Sequence, residues 1–448
     1  VKRADFRTRK GARKCALFVL LLAALPIGAE TTVTLLHVSD YHSHALPYYA
    51  DNGTVGGIAR AIGYLSREKR RGALVFSGGD TINKGSPAWS DKYGCAEWPW
   101  WNGILDAMAF GNHDADYGRA AFEQCAKAVR YPILSANTGG FRRYAVFETN
   151  GMRIGVFALA GSDFPGLVKV EGFSFGDPVA AARNAVRELR ETERVHAVVM
   201  IGHEHAEADY ELARAVPGID LIFGSHSHLK RELTRIDGTE TWYLSPGQYL
   251  ETISRVELSF ENGRVARVRG ALVPVDARLP EDRSIARRVR RMQTALERDP
   301  QYRELFTPIA RLDAPIGVGA LAQRTLDAMR AAARADVALS TTSSFRQPLP
   351  AGVLNMELLR AALPYDNEIV VCAMSGAQLQ RVLDYSHARA GTDSESFIAG
   401  ADSIDPARTY RVAAADYLAN VAYREVFTCE KEKTGLRVRE ELRKTLTR

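Results

Sequence analysis

Imidazoles and carboxylates gather at a few points of this chain, and the chemistry they can do together is metal ligation. Histidine is scarce, ten in 448 residues, yet His42, His44, His113, His203, His205, His226 and His228 all fall where an apolar run stops. The densest such point is Gly111-Asn112-His113-Asp114-Ala115-Asp116, directly after Ala107-Met108-Ala109-Phe110. It offers an amide carbonyl, an imidazole and carboxylates within one short segment. Alone it could be a turn with a capping Asn and a surface His, but the design recurs four more times. Those runs are Val33 to Asp40 with His42, Ala73 to Asp80, Val195 to His203, and Ile219 to His228. Mixed imidazole, carboxylate and amide donors suit divalent Zn, Mn, Fe or Co better than Ca²⁺, which prefers all-oxygen cages. Eight ligand slots, with one carboxylate shared, point to two ions.

The elements that must position these groups are strands. A buried strand ending on polar residues delivers them to the carboxyl edge of a sheet, where α/β folds keep their sites. From Thr31 to about Val275, strand-like runs alternate with helical segments such as Gly57 to Arg70 and Pro178 to Arg194, which predicts an α/β layered core. Arg153 to Leu159, Thr241 to Leu244 and Arg255 to Phe260 read as strands without ligands. The last runs through Glu261-Asn262-Gly263, a hairpin signal, into Arg264 to Arg269, an antiparallel edge. Gly78-Gly79 let the backbone pass close to Asp80.

Between Pro280 and Phe306 the chain turns Arg-rich, with Ile285, Val289, Met292 and Leu296 at three- and four-residue steps. This predicts a solvated linker helix over 281–306 that separates two domains, 30–280 and 307–448. In the rear part, a helix is expected over Ala320 to Arg334 and a strand over Val337 to Leu339. A strand should turn into a helix at Met374-Ser375-Gly376, and Glu440 to Arg448 reads as a charged, solvated end.

Residues 1–29 carry seven Lys and Arg against one Asp, then the apolar run Ala16 to Leu25. That is the pattern of a secretory signal peptide, too short for a comfortable membrane span, so a periplasmic or secreted protein with no stable membrane insertion after cleavage is expected. Without the leader, the 59 basic and 53 acidic residues become 52 and 52. The pI near 9 therefore gives no reason to invoke nucleic acid as a partner. Four cysteines remain and allow three pairings. Cys95 with Cys125 and Cys372 with Cys429 is the one that stays within the domains; small buried hydrophobes are the alternative reading.

At the ligand clusters the chain resembles the 5'-nucleotidase family of calcineurin-like metallophosphoesterases. The resemblance rests on five motifs in order: Asp40-Tyr41-His42, Gly79-Asp80, Gly111-Asn112-His113-Asp114, Gly202-His203 and Gly224-Ser225-His226-Ser227-His228. It implies a layered, β-sandwich-like core flanked by helices, with a second α/β domain that binds substrate. It further implies that Asp40, His42, Asp80 and His228 hold one metal and Asp80, Asn112, His203 and His226 the other, with a metal-activated water as nucleophile. His113 and Asp116 would form a dyad beside the phosphorus, with Asp114 behind it. His44 and His205 match no ligand slot.

In the rear domain the resemblance thins. Where relatives show Asn-x-Gly-Gly-x-Arg, this chain has Thr341-Thr342-Ser343-Ser344-Phe345-Arg346, which keeps the Arg and loses the glycines. Pro364-Tyr365-Asp366-Asn367 stands in the place of a base-stacking motif, so Arg346 and Tyr365 are the implied substrate contacts. The motif for the second stacking face is absent; Tyr417 or Tyr423 could substitute for it, with core packing the preferred reading for either. Trp89, Trp98, Trp100 and Trp101 form either a cleft wall or packing around Cys95. The expected activity is hydrolysis of nucleoside 5'-monophosphates or related phosphate esters. A phosphodiesterase or sulfur-ester hydrolase on the same core, or a binding protein without turnover, is the alternative.

Overall fold

The computed structural model describes residues 31–50, 53–168, 171–400 and 403–446. The leader expected over residues 1–29 lies outside them. In chain order the first domain has strands β1 (Thr31–Val38), β2 (Tyr48–Ala50), β3 (Gly53–Val55), β4 (Leu74–Ser77), β5 (Ala107–Ala109), β6 (Ile133–Leu134) and β7 (Tyr144–Thr149). They are followed by β8 (Met152–Ala160), β9 (Ala197–His203), β10 (Leu221–Phe223), β11 (Lys230–Arg235), β12 (Trp242–Pro246), β13 (Thr252–Glu261) and β14 (Arg264–Pro274).

Two six-stranded sheets result, ordered β14-β13-β1-β4-β5-β6 and β11-β12-β10-β9-β8-β7. Because strand side chains alternate between faces, neighbours in sequence enter different cores. On β1, Val33 and Leu35 join Val156, Val199 and Phe223 between the two sheets. Leu36 and Val38 face the other way, into a core shared with the helix Ile58–Lys69. On the far side, Val198, Met200 and Ile222 pack under the helices Pro178–Arg187 and Ala206–Ala215. The order of layers is helix, sheet, sheet, helix, with both sheets fully covered in the middle. The expected hairpin forms at Asn262-Gly263, both with positive φ as a tight primed turn requires, and β14 is a sheet edge.

This arrangement brings the ligand clusters together. β1, β4 and β5 run parallel as neighbours in one sheet, and β9 and β10 do so in the other. Their carboxyl ends open at the same end of the sandwich, where Asp40, Asp80, Asn112, His203 and His226 follow.

The second domain has β15 (Pro308–Leu312), β16 (Val337–Thr341), β17 (Gly352–Asn355), β18 (Glu368–Ser375), β19 (Ser396–Ala399), β20 (Thr409–Ala415) and β21 (Glu432–Arg437). Five of them form a sheet ordered β19-β16-β20-β18-β21. β18 turns into the helix Gly376–His387 through a capping box between Ser375 and Gln378, at the expected junction.

Two expectations are corrected. The Arg-rich helix spans Arg283–Glu297 and is no solvated linker: Val289 and Leu296 are buried in the first domain's core, with Ile285 and Met292 packed beside them. The apolar stripe read from the sequence has a surface to bury. The C-terminal segment is likewise not a solvated end. It forms the helix Val438–Leu446, whose Leu442 and Leu446 pack into the second domain's core while Arg443 and Lys444 pair with Glu440 and Glu441.

Both cysteine pairs are bridged, Cys95 to Cys125 and Cys372 to Cys429, with Cα atoms 5.8 and 6.0 Å apart. The tryptophans Trp89, Trp98, Trp100 and Trp101 are all buried in the core on the Cys95 side. Packing is therefore their role.

Leu442 is fully buried, so Leu442→Ala should lower stability by about 2–5 kcal/mol through lost burial and the cavity left behind. Denaturant unfolding followed by a probe in the second domain checks this. A loss below about 1 kcal/mol would return the segment to the surface.

Candidate metal centre and substrate cleft

Asp40 and His42 leave β1 in a loop where Asp40, His42 and Ser43 have φ near +50°, and Asp80, His226 and His228 share this left-handed backbone. Five of the seven candidate ligands thus sit in a conformation that costs non-glycine residues about 1 kcal/mol or more each. The loops are held by their neighbours. Asp40, His42 and Ser43 donate backbone N–H bonds to the carbonyls of Gly79, Asp80 and Thr81, which ties the end of β1 to the end of β4. Gly111 must be glycine for this packing, since a Cβ there would lie 2.3 Å from both the backbone nitrogen and Oδ1 of Asp80.

One group of donors comprises Asp40, His42 and His228, and a second comprises Asp80, His203 and His226. The imidazole tautomers follow from their outer contacts. His42 Nδ1 donates to the Ile82 carbonyl at 3.3 Å, which turns Nε2 toward His228 Nε2 at 3.0 Å and toward Asp40 Oδ1 and Asp80 Oδ2, each at 3.8 Å. His203 Nδ1 donates to the Gly78 carbonyl at 2.6 Å, and its Nε2 faces Asp80 Oδ2 and Asn112 Oδ1, both at 3.2 Å. Asp80 Oδ2 therefore lies between the two groups. Asp40 Oδ1 is buried with no hydrogen-bond partner, 3.2 Å from His228 Nε2.

The electrostatics show what the cluster wants. Burial pushes the His42 imidazole down to about 3 against the pull of Asp80, so it stays neutral. At His203 burial also opposes the charge, but Asp80 and Asp40 outweigh it and raise the ring to about 10. Asp80, despite its own burial, is held well below the usual carboxylate range by the facing imidazoles. Buried carboxylates and ring lone pairs converging on one point fit divalent cations, which would compete with protons for the same positions. The donor set fits the implied metals.

Asp114 supports the loops from below. Its carboxylate accepts from the backbone N–H of Gly111, Asp80 and Thr81 at 2.9, 3.1 and 2.9 Å and from the Thr81 hydroxyl at 2.6 Å. His113 Nδ1 lies 2.8 Å from Asp116 Oδ2, and the His113 backbone N–H donates to Asp80 Oδ1. Burial disfavours the charge on His113, but Asp80 and Asp116 together lift it to about 10. Its imidazole thus stands protonated at the rim, edge-on to His42.

A further carboxylate joins the cluster without any mark in the sequence. Asp163, just past β8, lies 3.1 Å from His226 Nε2 and 3.5 Å from His205 Nε2, and with these two it forms a third group of donors. No histidine follows β8, so the sequence predicts a strand end without ligands there. His205 also reaches Asp393 of the second domain at 3.6 Å, and His44 stacks on Tyr249 at 3.5 Å.

The second domain faces this centre. Arg346 Nη1 donates to Gln248 Oε1 at 3.4 Å across the domain seam, its Nη2 donates to the Tyr365 hydroxyl at 3.3 Å, and its guanidinium lies 5.7 Å from the Tyr365 ring centre. The fold separates the two tyrosines that read as core residues. Tyr423 is buried and bonded to Ser394 and Ser396, whereas Tyr417 is 46% exposed, within electrostatic reach of Tyr365, Asp393 and Asp163. Tyr365 is similarly exposed, so two partly exposed aromatic rings stand on the second domain's side of the cleft.

Fold and site together define a metal-dependent phosphoester hydrolase. The calcineurin-like phosphoesterase family matches residues 33–230, and the 5'-nucleotidase C-terminal domain matches 299–402. The chain belongs to the 5'-nucleotidase family of calcineurin-like phosphoesterases. Protein UshA of Yersinia enterocolitica is 26% identical over 86% of this chain and 85% of its own length. Among solved structures, a 5'-nucleotidase precursor from Thermus thermophilus superposes with a TM-score of 0.72 at 21% identity, over 93% of this chain and 96% of that one. The sulfate thiohydrolase SoxB of Thermus thermophilus superposes with a TM-score of 0.73 at 22% identity, over 93% and 94%.

Proposed function

We propose that the protein is an exported, dinuclear phosphatase that hydrolyses nucleoside 5'-monophosphates and related phosphate esters. The observation that carries this reading is the position of Asp80 Oδ2 between two donor groups, with an Arg and two exposed aromatic rings across the cleft. Asp40, His42, Asp80 and His228 would hold one cation, and Asp80, Asn112, His203 and His226 the other. When bound, such a pair supplies Lewis acidity for the phosphoryl oxygens and a nucleophile from water at neutral pH.

The chain's own residues do the rest. Asp116 accepts the hydrogen bond from His113 Nδ1, leaving Nε2–H to meet negative charge as the ester bond breaks. Arg346 offers a forked pair of donors to a phosphate or ribose oxygen. Tyr365 and Tyr417 supply faces for a base. Ser343 and Ser344, replacing glycines, keep the backbone further from the base, which favours loose selection among bases. Export is supported by the composition of the leader and by two disulfides, which persist in oxidising compartments. We take the catalytic unit to include the helix Arg283–Glu297, since that helix shares its core.

Turnover of AMP by the Mn²⁺- or Zn²⁺-loaded protein, alongside a 2',3'-cyclic nucleotide, a UDP-sugar and a thiosulfate ester, tests the activity. A rate on any of the last three far above that on AMP would replace this reading with the diesterase or sulfur-ester alternative.

Three sets of variants test the assignments. Asp80→Asn should lower occupancy of both metal sites, while Asn112→Ala weakens chiefly one; two full equivalents by metal analysis in Asp80→Asn would rule out the bridge. His113→Ala should keep both metals and slow turnover by about two to four orders of magnitude, and near-normal rates would remove it from the mechanism. Tyr365→Ala and Tyr417→Ala should each raise the KM for AMP, by about 1–3 kcal/mol of lost stacking, with little change on a phosphate ester lacking a ring. Equal losses on both substrates would assign the rings to support of the fold.

A further inference from the structure

One carboxylate beside the metal donors has no local task. Asp163 stands at the N-cap of the short helix Phe164–Leu167, yet its side chain makes no cap hydrogen bond. An Asp in that position ordinarily accepts from an N–H group of the first turn. Asp163 instead places Oδ2 3.1 Å from His226 Nε2 and 3.5 Å from His205 Nε2. Gly161 makes room for it, since a Cβ there would lie 2.7 Å from Asp163 Oδ1 and 2.9 Å from the His203 carbonyl oxygen.

His226 belongs to two groups of donors, one with Asp80 and His203 and one with Asp163 and His205. A neutral imidazole has one lone pair and one N–H, so it can ligate a single cation. A third ion held by Asp163, His205 and His226 would take the lone pair that the Asp80 group needs. Both sets of contacts are satisfied together when Nε2–H donates to Asp163 and Nδ1 keeps the lone pair. The His226 backbone is already fixed, because its N–H donates to Asp40 Oδ2 at 3.1 Å. Rotation of the side chain is the freedom left, and Asp163 removes it.

The other anchored imidazoles follow the same rule with weaker partners. His42 and His203 each use Nδ1 on a backbone carbonyl, that of Ile82 and that of Gly78. At His226 the outer partner is a carboxylate, which orients the ring and also raises its basicity toward a cation. His205 holds that carboxylate from the other side, and its own Nδ1 lies 3.6 Å from Asp393 of the second domain.

We propose that Asp163 is a positioning residue of the metal centre: it accepts the His226 Nε2–H, fixes the ring with Nδ1 free for the cation shared with Asp80 and His203, and is itself held by His205. This role rests on the dinuclear reading given above.

Chelator competition on the Zn²⁺-loaded full chain reads the two sites separately. Asp163→Ala should weaken one of the two equivalents by about tenfold to a hundredfold and leave the other unchanged. Asp163→Asn keeps an oxygen acceptor without the charge, so its loss should fall between. Nitrogen NMR of the same protein labelled at histidine should show His226 with its proton on Nε2, and Asp163→Ala should speed exchange of that proton with water. Unchanged affinity in both variants, an equal loss at both sites, or a His226 ring with its proton on Nδ1 would overturn the role of Asp163 while leaving two metals in place. Fewer than two equivalents on the unsubstituted protein would overturn the dinuclear reading, and this role with it.

Discussion

The constraint on which the rest of the structure depends is electrostatic: carboxylates and imidazole lone pairs are packed within a few ångströms of one another, away from water. In a low-dielectric interior such groups repel unless positive charge lies among them. Every supporting feature serves to hold them there. Parallel strands from two sheets end at one place, backbone carbonyls of Ile82 and Gly78 fix the two imidazole tautomers, and Asp114 gathers the N–H groups of three residues under the site. Backbone strain at Asp40, His42, Asp80, His226 and His228 is tolerated because those loops are bonded to one another.

Much of this is legible in the sequence because the signals are local. An apolar run that stops on His, Asp or Asn announces a strand end, and five such runs in order announce one site. Asp163 escapes for the converse reason: no histidine follows β8, and its relation to His205 and His226 exists only in three dimensions. Tyr417 and Tyr423 carry no sequence signal that separates them, since both flank the same turn, Leu418–Ala422, and only its packing leaves the first exposed and the second in the core. The helices Arg283–Glu297 and Val438–Leu446 read as solvated because charge outweighs their apolar stripes, although Leu442 and Leu446, four apart, already lie on one face.

The two domains divide the work unevenly. The first carries the metal donors and the His113–Asp116 pair, while the second brings Arg346, Tyr365 and Tyr417 to the opposite side of the cleft. Across the seam, Arg346 meets Gln248 and His205 meets Asp393 beside the cleft. On the proposed reading, reaction and selection are separable properties, because Ser343 and Ser344 lie in the second domain and all seven candidate metal donors lie in the first.

The bridge between Cys95 and Cys125 closes a ring of chain that contains Asn112, His113 and Asp116, but none of the other donors. A ring of 30 residues removes about 3–4 kcal/mol of disorder from the open chain. Because that effect acts through the unfolded chain, its loss would weaken the fold as a whole and not this segment alone. On the proposed reading of an exported chain, the strength of the fold that carries this ring is set partly by the redox state of the compartment in which it matures.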